Sequence, residues 1–285
     1  VIGASRTAVL VAGYRARASA REGAIISDPW ASALAGEEGR QLTERFDTPQ
    51  PHLELWIAVR TAHLDARVRD LTSESEIRQV VILGAGLDTR AARLASQGVT
   101  FFEVDHPDTQ KEKLVRLTRL EGYPVDAATY VACDFANPEA DFIALLESEG
   151  FDLSAPAIIV WEGVTPYLEE GVVRTTVSRI ARACQPRSVL LFDFLGKNAT
   201  RRGRGDEADE DTRDAVEDLG EPLRFGTNDI IPLLYDCGMR RIHVRGFDEL
   251  GLEYTGTYER ERKWRFQYVA ETSVAPAPNA HEAPR

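Results

Sequence analysis

Residues 80–90 read Val80-Val81-Ile82-Leu83-Gly84-Ala85-Gly86-Leu87-Asp88-Thr89-Arg90. Four apolar residues suit a buried strand. The two glycines after them allow a tight turn whose backbone N–H groups can approach a ligand closely. A second strand-like run, Val99 to Val104, ends in Asp105. A carboxylate there can accept hydrogen bonds from ribose hydroxyls. Asp134 and Phe135 follow a third run, and Glu162 follows the apolar Ile158-Ile159-Val160-Trp161. Strand ends of this kind face the ligand crevice of an open α/β sheet. The chemistry spelled out is the binding of a nucleoside-containing cofactor.

The turn also discriminates between cofactors. A dinucleotide fingerprint wants a third glycine, so that the backbone can meet a pyrophosphate. Here Thr89 stands in its place, beside Asp88. A carboxylate inside a pyrophosphate cradle repels it. S-adenosylmethionine has no phosphate, and its sulfonium tolerates acids. The turn therefore favours S-adenosylmethionine over NAD, and an NAD-dependent oxidoreductase is the disfavoured alternative. A blander reading, in which the glycines only let a helix pack on a strand, stays open.

These residues need a scaffold. Strands are expected at Gln79–Leu83, Thr100–Val104, Ala128–Cys133, Ala157–Trp161, Ser188–Phe194, Arg240–Gly246 and Trp264–Thr272. Helices are expected at Thr89–Ser96, Pro107–Leu120, Glu139–Glu149, Glu169–Ala183 and Asn228–Tyr235. Such alternation predicts α/β architecture: a parallel sheet with helices on both faces. Helices come first: Thr7–Arg21, a second starting at Asp28-Pro29-Trp30 with proline near its first position, and Leu53–Leu71. In the last, Leu53, Trp56, Ile57, Arg60, Leu64 and Val68 recur at helical spacing. The predicted organisation is a helical N-terminal cap over 1–75, a cofactor-binding domain over 76–272 with a charged insertion at 196–227, and a disordered Ala/Pro-rich tail over 273–285. The charged part of the insertion, Arg201 to Asp214, reads as a solvated loop or as a mobile lid or oligomer contact.

A net charge of −12 over 285 residues argues against a nucleic-acid partner, which needs a basic face. No stretch approaches the ~18 apolar residues of a membrane span, and no signal-peptide pattern opens the chain. Three widely spaced cysteines suggest neither a zinc site nor a disulfide framework. The simplest reading is a soluble, cytoplasmic protein.

Four segments together resemble the leucine carboxyl methyltransferase family, in its bacterial small-molecule branch. They are Arg60-Thr61-Ala62-His63-Leu64-Asp65, Gly84 to Arg90, Phe102-Glu103-Val104-Asp105, and Trp161-Glu162-Gly163-Val164-Thr165-Pro166-Tyr167-Leu168. Ser5-Arg6 through Gly13-Tyr14, and Asp28-Pro29, add weaker support, so the resemblance runs from Ser5 to Gly246. It implies a seven-stranded, Rossmann-like methyltransferase sheet under a helical cap. It implies transfer of a methyl group from S-adenosylmethionine to a carboxylate, or to another oxygen, of a small molecule such as a polyketide acid. A protein C-terminal carboxylate, a hydroxyl acceptor, and a non-catalytic cofactor-binding regulator are the alternatives.

The resemblance also suggests roles. Gly84, Ala85 and Gly86 would approach the methionine moiety, Asp105 and His106 would lie at the ribose, and Asp134 and Phe135 at the adenine. Arg6 and Arg60 would meet the methionine carboxylate, and Glu162 the amino group. Arg60 could instead form a structural pair with Asp65 or Glu54, and Asp88 and Arg90 could pair with each other or cap a helix. Tyr14, Arg17, Tyr167 and Phe225 would face the acceptor, with Arg15, Arg17 or Arg224 as a local cation. A carboxylate acceptor is already ionised and needs no base, whereas a hydroxyl would need one. Among the five histidines, His63, one helical turn from Arg60, is the one candidate base; no metal is expected.

Overall fold

Alternating side-chain direction along the apolar runs builds a sheet with two buried faces. The structure is a computed structural model that describes residues 5–75, 77–134, 137, 140–200, 213–258 and 266–275. Its strands are β1 (Gln79–Leu83), β2 (Thr100–Asp105), β3 (Ala128–Ala132), β4 (Ala157–Trp161), β5 (Val189–Leu195), β6 (Met239–Gly246) and β7 (Gln267–Val274). They form one seven-stranded sheet in the order β3-β2-β1-β4-β5-β7-β6. Strands β1 to β5 pair in parallel, and β7 runs antiparallel to both β5 and β6. The sheet is therefore mixed, where strand–helix alternation predicted a parallel one. An antiparallel partner needs no crossover, so β7 can return from β6 and lie between β6 and β5.

Helices α1 (Arg6–Ser19), α2 (Ala31–Phe46) and α3 (Leu53–Glu74) precede the sheet. Then come α4 (Arg90–Leu94), α5 (Pro107–Leu117), α6 (Phe142–Ser148), α7 (Glu170–Ala183), α8 (Ile231–Asp236) and α9 (Phe247–Thr255). Successive strand residues point to opposite faces. Val80, Ile82, Ile158, Val160 and Leu191 meet Leu10, Trp56, Leu64 and Phe247 on one side. Val81, Leu83, Ile159, Trp161 and Phe192 meet Phe142, Val177, Ile180 and Leu234 on the other.

Helix starts differ from expectation because acidic side chains cap them further along. The Asp28 carboxylate accepts from the N–H groups of Trp30 and Ala31 at 3.1 Å each, so α2 starts at Ala31 and Pro29 lies before it. Asp141 caps α6 in the same way, through Ile143 and Ala144, and Asp229 accepts from Ile231 N–H at the start of α8. Ser273 and Val274 belong to β7, paired with Val189 and Met239, and not to a tail. The charged stretch 201–212 and residues 276–285 lie outside the described residues. The described flank of the insertion is not a solvated loop: residues 213–217 are helical, and Arg213, Val216, Leu219, Leu223 and Phe225 are buried. Among the described residues no helix is long and apolar enough to cross a membrane.

The chain order reverses between β1 and β4. In open α/β sheets such a switch point opens a crevice beyond the carboxyl ends of the strands. The glycine turn after β1 and Glu162 after β4 stand on its two sides.

Candidate functional site

A cavity of about 300 Å³ occupies that crevice. The sheet contributes Gly84 to Asp88, Asp105 and His106, Asp134, and Glu162 to Val164. Thr7, Ala8, Val11 and Arg15 of α1 and Arg60 of α3 close it from above the strand ends. Ser5, Thr109, Tyr167, Leu168 and Glu221 complete the wall.

Two glycines make room for it. Gly84 (φ 65°) and Gly86 (φ 50°) both sit in the left-handed region that side chains disfavour. A Cβ on Gly84 would lie 2.4 Å from Val164 Cγ2, and one on Gly86 would lie 3.0 Å from Ala8 Cβ. Asp105 is fixed by the same turn: its Oδ2 accepts from Gly86 N–H and its Oδ1 from His106 N–H. Burial pushes the carboxyl up and these two N–H bonds hold it down, with burial prevailing. Each oxygen keeps a lone pair for one hydroxyl of a vicinal diol.

Beneath the cavity runs a chain of buried ion pairs. Arg60 Nε donates to Glu162 Oε1 at 2.8 Å, and its Nη1 to Asp193 Oδ2 at 2.7 Å. Arg90 Nη2 lies 2.5 Å from Glu162 Oε2, while the rest of Arg90 is shared between Asp65 and Asp88. Arg93 continues to Asp65 and approaches Asp28 at 3.8 Å, and Asp28 takes Arg15 Nε at 3.0 Å. Buried charges persist only when paired in this way. For Glu162, burial works to raise its pKa, but Arg90 and Arg60 outweigh it and hold the carboxyl below the usual range. For Asp193 burial wins over Arg60, and the carboxyl is raised.

Several expected site residues do meet at the cavity: Arg60, Gly84, Ala85, Gly86, Asp105, His106, Asp134, Glu162 and Tyr167 all line it. Arg60 pairs with Glu162 and Asp193, not with Asp65 or Glu54. Asp88 does both things open to it, accepting from Arg90 N–H at 2.5 Å and pairing with the Arg90 guanidinium. Its carboxylate is thus spent on Arg90 and is no longer the charge that would repel a pyrophosphate.

Others are elsewhere. Arg6 is half-exposed and faces Glu38 at 4.0 Å. Tyr14 is buried between α1 and α2, its hydroxyl 3.4 Å from Thr43 O, with the Arg17 guanidinium 5.0 Å from its ring centre. Arg17 itself is bound by Asp47 and Glu54, so neither faces an acceptor. Phe225 is core, its N–H bonded to Pro166 O. Arg224 pairs with Glu169 on the surface. His63 is buried against Tyr254, outside the cavity. Phe135 lies outside the described residues.

The sequence reading missed Asp193, Thr7, Thr109 and Glu221. An acid inside the apolar run Leu190 to Leu195 was the signal for Asp193. Glu221 accepts from Ser5 Oγ at 2.5 Å and Thr7 Oγ1 at 2.6 Å, fastening its loop to the start of α1.

The lining carries five carboxylates (Asp88, Asp105, Asp134, Glu162, Glu221) against two arginines. That donor set fits a cationic nucleoside and not a pyrophosphate. Among the described residues no cluster of His, Cys, Asp or Glu is arranged to hold a metal ion.

Comparison with known proteins bears on this geometry. The sequence model of the leucine carboxyl methyltransferase family matches residues 8–181. A Mycobacterium avium (strain 104) protein provisionally named an S-adenosyl-L-methionine-dependent methyltransferase is 34% identical over 207 residues, 68% of this chain and 66% of that protein. The chain thus spans just under two thirds of that relative's length. Two solved structures share the fold. A DUF574 family protein from Streptomyces avermitilis MA-4680 has a TM-score of 0.63 at 14% identity, covering 93% of this chain and 97% of its own. A provisionally named methyltransferase from Thermobifida fusca YX has a TM-score of 0.60 at 21% identity, covering 85% and 90%. With its glycine turn, strand-end acids and buried arginine on one methyltransferase sheet, this chain belongs to the leucine carboxyl methyltransferase family.

Proposed function

We propose that the chain is an S-adenosylmethionine-dependent O-methyltransferase that forms a methyl ester on the carboxylate of a small, largely apolar acid of the polyketide-like kind. One observation carries the cofactor: the crevice at the β1/β4 switch point is glycine-walled and carries five carboxylates against two arginines. In this reading Asp105 holds the ribose hydroxyls, Asp134 the adenine amino group, and Arg60 and Glu162 the methionine end. Helices α1 to α3 act as a cap that excludes water from the strand ends.

Bound S-adenosylmethionine would supply a methyl group on a sulfonium, which passes to a carboxylate oxygen as the S–C bond pair returns to sulfur, leaving a neutral ester and a thioether. The protein's share is alignment and desolvation. The carboxylate assignment is supported by the lack of a poised base among the described lining residues. His106 Nδ1 accepts from Asp108 N–H, and Glu221 is engaged by two hydroxyls.

Calorimetric titration with S-adenosylhomocysteine, with NAD as control, tests the cofactor. Transfer of labelled methyl to carboxylic acids, read as base-labile volatile label, separates ester from ether. Tight NAD binding without S-adenosylhomocysteine binding would sink the reading; base-stable label would sink the carboxylate.

A further inference from the structure

Beyond Tyr167 the cavity adjoins a second, smaller chamber of about 80 Å³. Thr7, Val11, Arg60, Gly163 and Tyr167 line both spaces. The chamber's own walls are mostly apolar, with Leu53, Trp56, Ile57, Leu223 and Phe266 among them. Two polar side chains interrupt this lining. Gln50, just before α3, is 4% exposed, and Gln267, the first residue of β7, is 6% exposed. Gln50 Nε2 and Gln267 Oε1 are both buried with no hydrogen-bond partner among the described residues. Orphaned buried groups are rare in native proteins and mark a place where something else is meant to bind.

The two orphans are complementary to a specific end group. Gln50 offers a donor and asks for an acceptor, such as a carboxylate oxygen. Gln267 offers an acceptor and asks for a donor, which an ionised carboxylate lacks. The volume, about 80 Å³, is roughly half that of a ~150 Å³ cavity known to take benzene. It admits only the end of a molecule.

We propose that this chamber receives the reacting end of the methyl acceptor, and that Gln50 and Gln267 select a carboxylate bearing a hydrogen-bond donor, a hydroxyl or an amide N–H, on the adjacent carbon. The inference rests on the methyl-transfer reading of the adjoining cavity and narrows its substrate class. A site built to hydrogen-bond a group rejects the analogue without it, because its own buried atom is then left unpaired.

The test uses the full chain saturated with S-adenosylhomocysteine, whose binding is measured calorimetrically in the same sample. Acetate, glycolate and N-formylglycine are titrated by saturation-transfer NMR against the parent, Gln50→Leu and Gln267→Leu. Glycolate or N-formylglycine should bind at least about tenfold more tightly than acetate, and the tighter of the two identifies the donor. Gln267→Leu should abolish that preference, and Gln50→Leu should weaken all three. Both variants should melt no lower than the parent, since each removes an orphaned polar group. Equal binding of acetate and glycolate, a preference that survives Gln267→Leu, no binding of any probe, or a fall in melting temperature overturns the proposal. S-adenosylhomocysteine that binds while the probes fail overturns the chamber alone; its own failure to bind overturns the methyl-transfer reading.

Discussion

Arg60 and Glu162 meet at 2.8 Å on side chains that are each more than nine-tenths buried, so α3 and the end of β4 are joined by a charge pair beneath the cofactor cavity. Neither partner is neutralised by the other alone. Arg60 also holds Asp193, and Glu162 also faces Arg90. Charge is therefore shared along a network, and removing one member strands its neighbours.

Glu162→Gln keeps the shape of the side chain and deletes its charge. Arg60 and Arg90 then share too few carboxylates in a dry interior. Breaking one side of such a buried pair costs about 3 kcal/mol. The variant should unfold at lower denaturant with an unchanged slope, and its affinity for S-adenosylhomocysteine should fall while that for adenosine holds. Equal loss for both ligands would contradict the methionine-end placement.

Asp105→Ala tests the other end of the cavity. The carboxylate's two free lone pairs are the proposed ribose contacts, and hydrogen bonds to a charged group are worth about 2 kcal/mol. S-adenosylhomocysteine should bind about 30-fold more weakly by calorimetry, and adenosine should lose as much. Gly86 N–H also loses its partner, but it sits at the cavity wall where water can replace the carboxylate, so stability should change little. Unchanged affinity would refute the ribose role.

How legible was this in the sequence? Strands β1 and β4 are apolar throughout, and their bounds match expectation residue for residue. Their strand-end residues were legible for the same reason, because a strand's end fixes which way the next residues face. The helix α1 was harder. Tyr14 and Arg17 were expected at the acceptor, yet Thr7, Val11 and Arg15 face the cavity. Neighbouring helical residues point about 100° apart, so a reading one residue out of phase turns the face away. The spacing of 7, 11 and 15 was the available clue. The arginine network was legible in part only. That Arg60 must be paired follows from its apolar helix face, but its partners lie on β4 and β5, and sequence spacing carries no information on contacts between distant elements.

Gly84 is the position where backbone and packing demands coincide. Gly84→Ala must place a methyl 2.4 Å from Val164 Cγ2 while holding φ at 65°. The clash and the left-handed backbone are separable costs. Gly84→Ala alone should lower stability and cofactor affinity together. Adding Val164→Ala should restore the part due to the clash, leaving about 1 kcal/mol for the backbone, measured by denaturant unfolding. A double variant no better than the single would show that Val164 is not the obstacle.

His63 gives a pH signature independent of the cavity. It is buried on α3 beside Tyr254, and burial lowers its pKa, helped by Arg245 of β6 and Arg67 of α3 and opposed by Glu253 of α9 and Glu271 of β7. The folded protein thus binds this proton less readily than the unfolded chain does. The stability tied to neutral His63 is fully present above its unfolded value, about 6.5, and is lost as pH falls through the lower folded value. Parent and His63→Gln should therefore converge as pH is lowered from neutrality, with the parent losing more stability over that range. Parallel stability profiles would show that His63 stays solvated, and a methyl-transfer pH profile shifted by His63→Gln would restore it as a candidate base.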